Sequence, residues 1–246
     1  MRKYSAFYKG KARVALHGAY SIPIVALIIL VVFYLVCSAP FNNSLLLNQN
    51  STSFLLYAVA NILISLILYA IFVGYIYMMM KLGRGERVYI RDLFFSFRNR
   101  PDRFLPVFLI REGILFLCLL PSYITLFMPI ETSNLLGMSL ISAVLTIVCL
   151  IVGLLLTARF VFAEYFLIQD INMKGIDGIK ESNRLMKGRV GQLIYIYFSF
   201  AGYFVLSIIS FNVGFLWTIP YLIESLVQMY FDLTGEAVIE ANAPGY

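Results

Sequence analysis

LIYIYFSFAGYFVLSIISFNVGFLWTIPYLIESLVQMYF, residues 193–231, is the stretch whose reading decides the fold. It is apolar along almost its whole length. A helix crosses a bilayer with about 20 residues, so this run is too long for one crossing. Asn212 and Gly214 sit near its middle and are turn formers. The stretch therefore reads as a hairpin of two spans, about 193–211 and 213–231.

Outward from it lie four more apolar runs, about 20–38, 54–80, 104–128 and 138–158. The second would reach roughly 40 Å at 1.5 Å per residue, so it tilts or enters the headgroups. The third is interrupted by Arg111-Glu112. Composition agrees with the pattern: 61% of the 246 residues are hydrophobic and 13% charged, against about 25% charged in soluble domains. A water-soluble core of this size could not hide so much apolar surface. The expected fold is an all-α integral membrane protein: one transmembrane domain over 1–246, six transmembrane helices, and a short tail at 232–246.

Charge fixes the expected orientation. The net charge is +6, yet no basic domain of the nucleic-acid-binding kind is present, and no nucleic acid is expected as a partner. Every Lys and Arg except Arg111 falls in residues 1–21, 81–103 or 159–192, and the loops 38–53 and 129–137 hold none. Cations stay on the cytoplasmic side. Both termini are thus expected inside the cell, with anionic lipid headgroups as partners of the basic segments. The basic start followed by an apolar run reads as a retained signal anchor, since Pro40 follows the small pair Ser38-Ala39. Cys37, Cys118 and Cys149 lie in or beside apolar runs, with no CxxC spacing, and read as small buried hydrophobes.

Each odd-numbered span follows a basic, partly amphipathic stretch: RKYSAFYKGKARVALHG (2–18), RGERVYIRDLFFSFRNRPDRF (84–104) and GIDGIKESNRLMKGRVGQL (175–193). This layout predicts a threefold recurrence of helix, span, span, with Leu16-His17-Gly18 equivalent to Met186-Lys187-Gly188. In the third stretch Ile176, Ile179, Met186 and Val190 recur at helical spacing, as in a helix lying at the interface or against the bundle. Lys180, Arg184, Lys187 and Arg189 are its candidate headgroup contacts.

Polar residues within spans are expensive and so are candidate sites. Trp217, Tyr221, Glu224, Gln228 and Asp232 share one helix face, and Glu224 lies deep in the last span. Pro220 beside them frees a backbone carbonyl. Arg111, Glu112, Arg159 and Glu164 form a second cluster, in which a cross-pair of Glu112 with Arg159 is expected because sequence neighbours on a helix do not face each other. Asn61 and Ser65 suit interhelical hydrogen bonding. The single histidine, His17, lies in the basic N-terminal segment. No HExxH, GxSxG, Walker A or Rossmann glycine pattern is present. Gly83-Arg84-Gly85 is too short for a phosphate loop and reads as a turn.

Three groups of residues carry a family resemblance: Ala12-Arg13…Leu16-His17-Gly18, Arg84-Gly85…Asp92-Leu93-Phe94, and Trp217, Pro220, Tyr221, Tyr230, Asp232 and Leu233 in the closing span. In order and spacing they resemble a bacterial family of multi-spanning membrane proteins of unknown function, domain-of-unknown-function family 975. The resemblance implies the bacterial cytoplasmic membrane and transfers no activity. Together these readings lead to a non-enzymatic multi-pass module without cofactor or metal: an accessory, regulatory or lipid-organising part of an envelope or transport system, partnered by the lipid bilayer, a membrane protein or a second copy. The alternatives are a small transporter or channel using the Glu224 face, and a lipid-modifying membrane enzyme.

Overall fold

A computed structural model describes residues 5–47, 51–127 and 135–236. Every regular element among them is helical. The α-helices are α1 (Ser5–Leu16), α2 (Ser21–Leu47), α3 (Ser51–Gly83), α4 (Phe95–Arg98), α5 (Leu105–Phe127), α6 (Leu135–Thr157), α7 (Ala163–Gln169), α8 (Gly175–Met186), α9 (Val190–Ile209) and α10 (Phe215–Thr234). Short 3-10 turns occupy Ile90–Phe94, Pro101–Phe104 and Ala158–Phe160.

Five stretches are long and apolar enough to cross a membrane: Ser21–Ala39, Val59–Gly83, Pro101–Ser122, Leu140–Gln169 and Val190–Ile209. These fall on the first five expected spans. Their outward faces are oily. On α6 alone Val144, Ile147, Val148, Ile151, Val152 and Leu155 are exposed, a continuous apolar surface of the kind that needs lipid or a partner. The sixth expected span coincides with α10, whose 20 residues include Glu224, Gln228 and Asp232. It is less apolar than the other five.

The loop expected over 38–53 is mostly helical instead, because α2 continues to Leu47 and α3 begins at Ser51. The helix runs on through Pro40. Most of the loop expected at 129–137, and the tail beyond residue 236, lie outside the described residues.

The chain divides into two compact units, Met1–Pro101 with Gly191–Tyr246, and Asp102–Val190. In the first, α10 packs against α1, α2 and α3. Ile223 through Phe231 are all buried. A helix buried around its whole circumference is a core helix, which explains how α10 tolerates polar residues. The hairpin turn before it places Phe211 and Asn212 in the left-handed region, at φ 54° and 69°. Gly214 serves the turn differently. A Cβ there would stand 2.7 Å from the Ser207 Cα, so the glycine is needed for close approach. The Ser207 and Thr218 hydroxyls then bond across the hairpin at 2.9 Å.

In the second unit, α5 packs on α6, and α8 packs on α7, on α5 and on the Ala158–Phe160 turn. Of the expected recurrence, the helix and the elbow after it are alike at α1 and α8. α1 buries Ser5, Tyr8, Ala12 and Leu16, and α8 buries Gly175, Gly178, Ser182 and Met186 at the same intervals. Each helix ends in the same elbow. The His17 N–H bonds to Val14 O and the Ala19 N–H to Leu16 O, while the Lys187 N–H bonds to Arg184 O and the Arg189 N–H to Met186 O. Gly18 and Gly188 take φ 75° and 74°, which any side chain would resist. The middle stretch is built otherwise. Arg100 leaves the helical region at φ 52°, Pro101 lacks an N–H, and short turns replace the single helix.

Candidate functional site

The polar face of the last helix was the first candidate. In the first unit Tyr221, Glu224 and Gln228 are buried, whereas Trp217 is half exposed. Gln228 Nε2 donates to Glu224 Oε1 at 2.8 Å. The other carboxyl oxygen, Oε2, is buried without a hydrogen-bond partner, and so is the Tyr75 hydroxyl of α3. Packing here is tight. A Cβ at Gly83 would lie 2.8 Å from Glu224 Oε1, 2.9 Å from Val227 and 3.0 Å from Phe231. The glycine at the end of α3 thus lets α10 close over it. The Gly83-Arg84-Gly85 turn also works as an anchor: Arg84 Nε pairs with Glu236 at 2.7 Å and its guanidinium stands over the Phe231 ring.

The same face also holds α1, at positions on either side of Glu224. Tyr221 Oη donates to Lys9 O at 3.3 Å and accepts from Arg13 at 3.5 Å, and Tyr8 Oη donates to Asp232 at 3.0 Å. Lys9 Nζ donates to Ser199 O at 2.5 Å and stands 4.2 Å above the Phe200 ring and 5.0 Å from that of Tyr203. Burial, and after it the charge of Arg13, hold the Lys9 ammonium below its ordinary pKa. Tyr221 and Asp232 thus serve to hold α1. His17 is exposed in the elbow after it.

The second cluster pairs differently from expectation. Arg111 on α5 meets Glu164 on α7 at 2.9 Å, with the glutamate side chain almost fully buried. The expected cross-pair of Glu112 with Arg159 does not form, and neither residue makes an ion pair among the described residues. The physical reason is the turn at Ala158–Phe160. It ends α6 before Arg159, turns that side chain into the open, and lets α7 bring Glu164 back to α5.

Arg103 carries a role that its place in a basic loop hid. It is buried and its Nη1 donates to Leu167 O and Asp170 O, both at 2.9 Å. A cation on the last carbonyls satisfies a helix C-terminus, here that of α7. The clue was available only in part: Arg103 is followed directly by the apolar Phe104.

On α8 the expected apolar stripe is buried at Ile179 and Met186 and not at Ile176. Ile176 is exposed, and the face is made of Gly175, Gly178 and Ser182 with Ile179 and Met186. Small residues are needed because the neighbours include backbone. A Cβ at Gly175 would strike Arg103 O, and one at Gly178 would lie 2.9 Å from Leu167 and 3.2 Å from Ala163 O. Ser182 Oγ accepts from the Phe162 N–H at 3.1 Å and donates to Arg159 O at 3.0 Å. The cations of α8 point outward. Lys180 and Arg184 reach only Asp177 and Glu181, at 3.7 and 3.5 Å, with mostly exposed side chains, and Lys187 and Arg189 are exposed. Arg159, Lys180, Asn183, Arg184 and Lys187, with Met186, line a surface groove of about 470 Å³.

The cysteines Cys37, Cys118 and Cys149 are free. Cys118 lies against the α6 backbone, its Sγ donating to Cys149 O at 3.0 Å.

Against known proteins, the family described as Protein of unknown function (DUF975) matches residues 8–237, and the chain belongs to it. No curated protein and no solved structure matches.

Proposed function

We propose that this member of the family is a non-enzymatic module of the bacterial cytoplasmic membrane that binds anionic lipid on its inner face, as an accessory or lipid-organising part of an envelope or transport system. It crosses the bilayer six times, α10 being the sixth span, with both termini inside. One observation carries the reading: all Lys and Arg but Arg111 lie in three segments between or before the spans. Cations placed this way orient a chain and draw anionic headgroups, at about 1 kcal/mol per Lys or Arg near the surface. The outward cations of α8 support it.

Affinity capture of the full chain from native membrane, with lipids and proteins both identified, tests the reading. Enrichment of anionic lipid, alone or with a membrane-protein partner, is expected. Recovery of bulk lipid in its native proportions with no partner, and no effect of neutralising Lys180, Arg184, Lys187 and Arg189, overturns it. A reporter fused after Pro40 should face outward; an inward signal removes the layout.

A second reading, a small transporter, draws on the unpartnered Glu224 Oε2 and Tyr75 hydroxyl. The tight seat against Gly83 weighs against it, since a conducting path needs water beside the carboxyl. Proton or cation flux in liposomes that is lost in Glu224→Gln while the fold is kept would establish it; no flux in the parent chain would eliminate it.

A further inference from the structure

We infer that the groove between Arg159 and α8 is a seat for the phosphate of one anionic phospholipid. This deepens the lipid-binding reading and rests on it. Three observations meet at the groove. The first is charge. Arg159, Lys180, Arg184 and Lys187 come together around about 470 Å³ of open space, although they lie on two separate elements. Of these, Arg159 and Lys187 have no acidic partner among the described residues. The ion pairs that Lys180 and Arg184 make, at 3.7 and 3.5 Å, are long and exposed, and such pairs hold little energy. All four ammonium and guanidinium groups are thus open to an anion.

The second observation is rigidity. Arg159 and α8 are fixed to one another through backbone, because Ser182 bonds both Arg159 O and the Phe162 N–H. Met186, fully buried, ends the helix, and the left-handed Gly188 turns the chain at the groove's edge. The cations are held on a built corner and not on a loose loop.

The third observation selects lipid over a dissolved phosphate. Arg159 lies two residues beyond the end of α6, on which the exposed Val148, Ile151, Val152 and Leu155 form one apolar face. Acyl chains lying along that apolar face leave their phosphate at the depth of Arg159. A guanidinium takes two phosphate oxygens in a fork, and the lysines add point charges around it.

The test uses the purified full chain and vesicles of phosphatidylcholine with and without phosphatidylglycerol, with retained lipid read by native mass spectrometry. Wild type should retain phosphatidylglycerol in preference to phosphatidylcholine. Arg159→Gln with Lys187→Gln should weaken retention on the order of 10- to 30-fold, as two surface cations would. Both positions are exposed, and Ser182 uses the carbonyl of Arg159, not its side chain, so the fold is kept. Lys187→Gln alone should give a smaller loss in the same direction. Arg87→Gln with Arg98→Gln removes the same charge elsewhere and should leave most retention intact. Equal loss in both double variants overturns the groove but leaves the lipid-binding reading standing. Full displacement of lipid by inorganic phosphate or glycerol phosphate overturns it in favour of a dissolved ligand. No preference for phosphatidylglycerol in wild type sinks both the groove and the reading beneath it.

Discussion

Replacing Ser182 by alanine removes one hydroxyl and should loosen one helix. Ser182 is completely buried and its oxygen holds the Phe162 N–H at 3.1 Å and Arg159 O at 3.0 Å. Alanine fills nearly the same space, so cavity formation adds little. The Phe162 N–H loses the Ser182 oxygen as its acceptor, and taking one partner from a buried hydrogen bond costs about 1–3 kcal/mol. The Arg159 carbonyl loses a donor as well, and the better helix propensity of alanine returns about half a kcal/mol. A net loss of about 2 kcal/mol corresponds to roughly a 30-fold change in an opening equilibrium. Hydrogen exchange of peptides covering residues 175–190 reads this directly, since proteins exchange by local opening of contiguous elements. Its exchange should accelerate by about that factor, with little change in α2 or α3. Glu181→Ala is the control: its pair with Arg184 is 3.5 Å long and exposed and worth under about 1 kcal/mol. An unchanged α8 in Ser182→Ala, or the same acceleration in Glu181→Ala, would refute the reasoning.

Three further outcomes are expected. Gly83→Ala should lower thermal stability by about 1–2 kcal/mol, because its Cβ meets Glu224, Val227 and Phe231 within 3.0 Å and overpacking is costly; combined with Glu224→Ala the loss should shrink, and simple additivity in the double-mutant cycle would disprove the contact. Arg103→Met should destabilise by about 3 kcal/mol through loss of two charge-assisted bonds to Leu167 O and Asp170 O, with Arg103→Lys recovering under half because an ammonium lacks the planar fork; full recovery by lysine, in denaturant or thermal melts, would contradict this. For Lys9 the folded pKa lies below the ordinary 10.5, so in that window the unfolded chain binds more protons and stability rises with pH. Lys9→Met should remove that rise from melting curves taken between pH 8 and 10.5, and an identical pH slope in the variant would exclude it.

The apolar runs announced five helices closely because lipid-facing sequence is written residue by residue as hydrophobicity. Residues 193–209 and 138–157 could hardly be read otherwise. The elbows were legible as well: Leu16-His17-Gly18 and Met186-Lys187-Gly188 look alike in sequence and fold alike, since a left-handed glycine is a local requirement. Pairings between elements were not legible. Arg111 could be seen to need an acid, but selecting Glu164 over its neighbours required knowing that Ala158–Phe160 turns the chain. The packed face of α8 was legible at Ile179 and Met186 but not at its small residues, because hydrophobic periodicity assumes burial against side chains. Gly175, Gly178 and Ser182 are buried against backbone, where small size decides. Arg103 looked like its basic neighbours because capping depends on where another helix happens to end.

The α9–α10 hairpin has a consequence for how the chain enters a membrane. On the six-crossing layout, α10 is a poor candidate to insert unaided: charged residues near the middle of a helix oppose partition by about 2.5–3.5 kcal/mol each, and it carries Glu224. α9 has no such burden, and the turn that joins them is pinned by the Ser207–Thr218 bond at 2.9 Å. Delivery as a preformed pair lets the oily partner escort the polar one past the lipid. Biogenesis of the first unit would then finish from its C-terminal end, with α10 docking last onto helices made long before it.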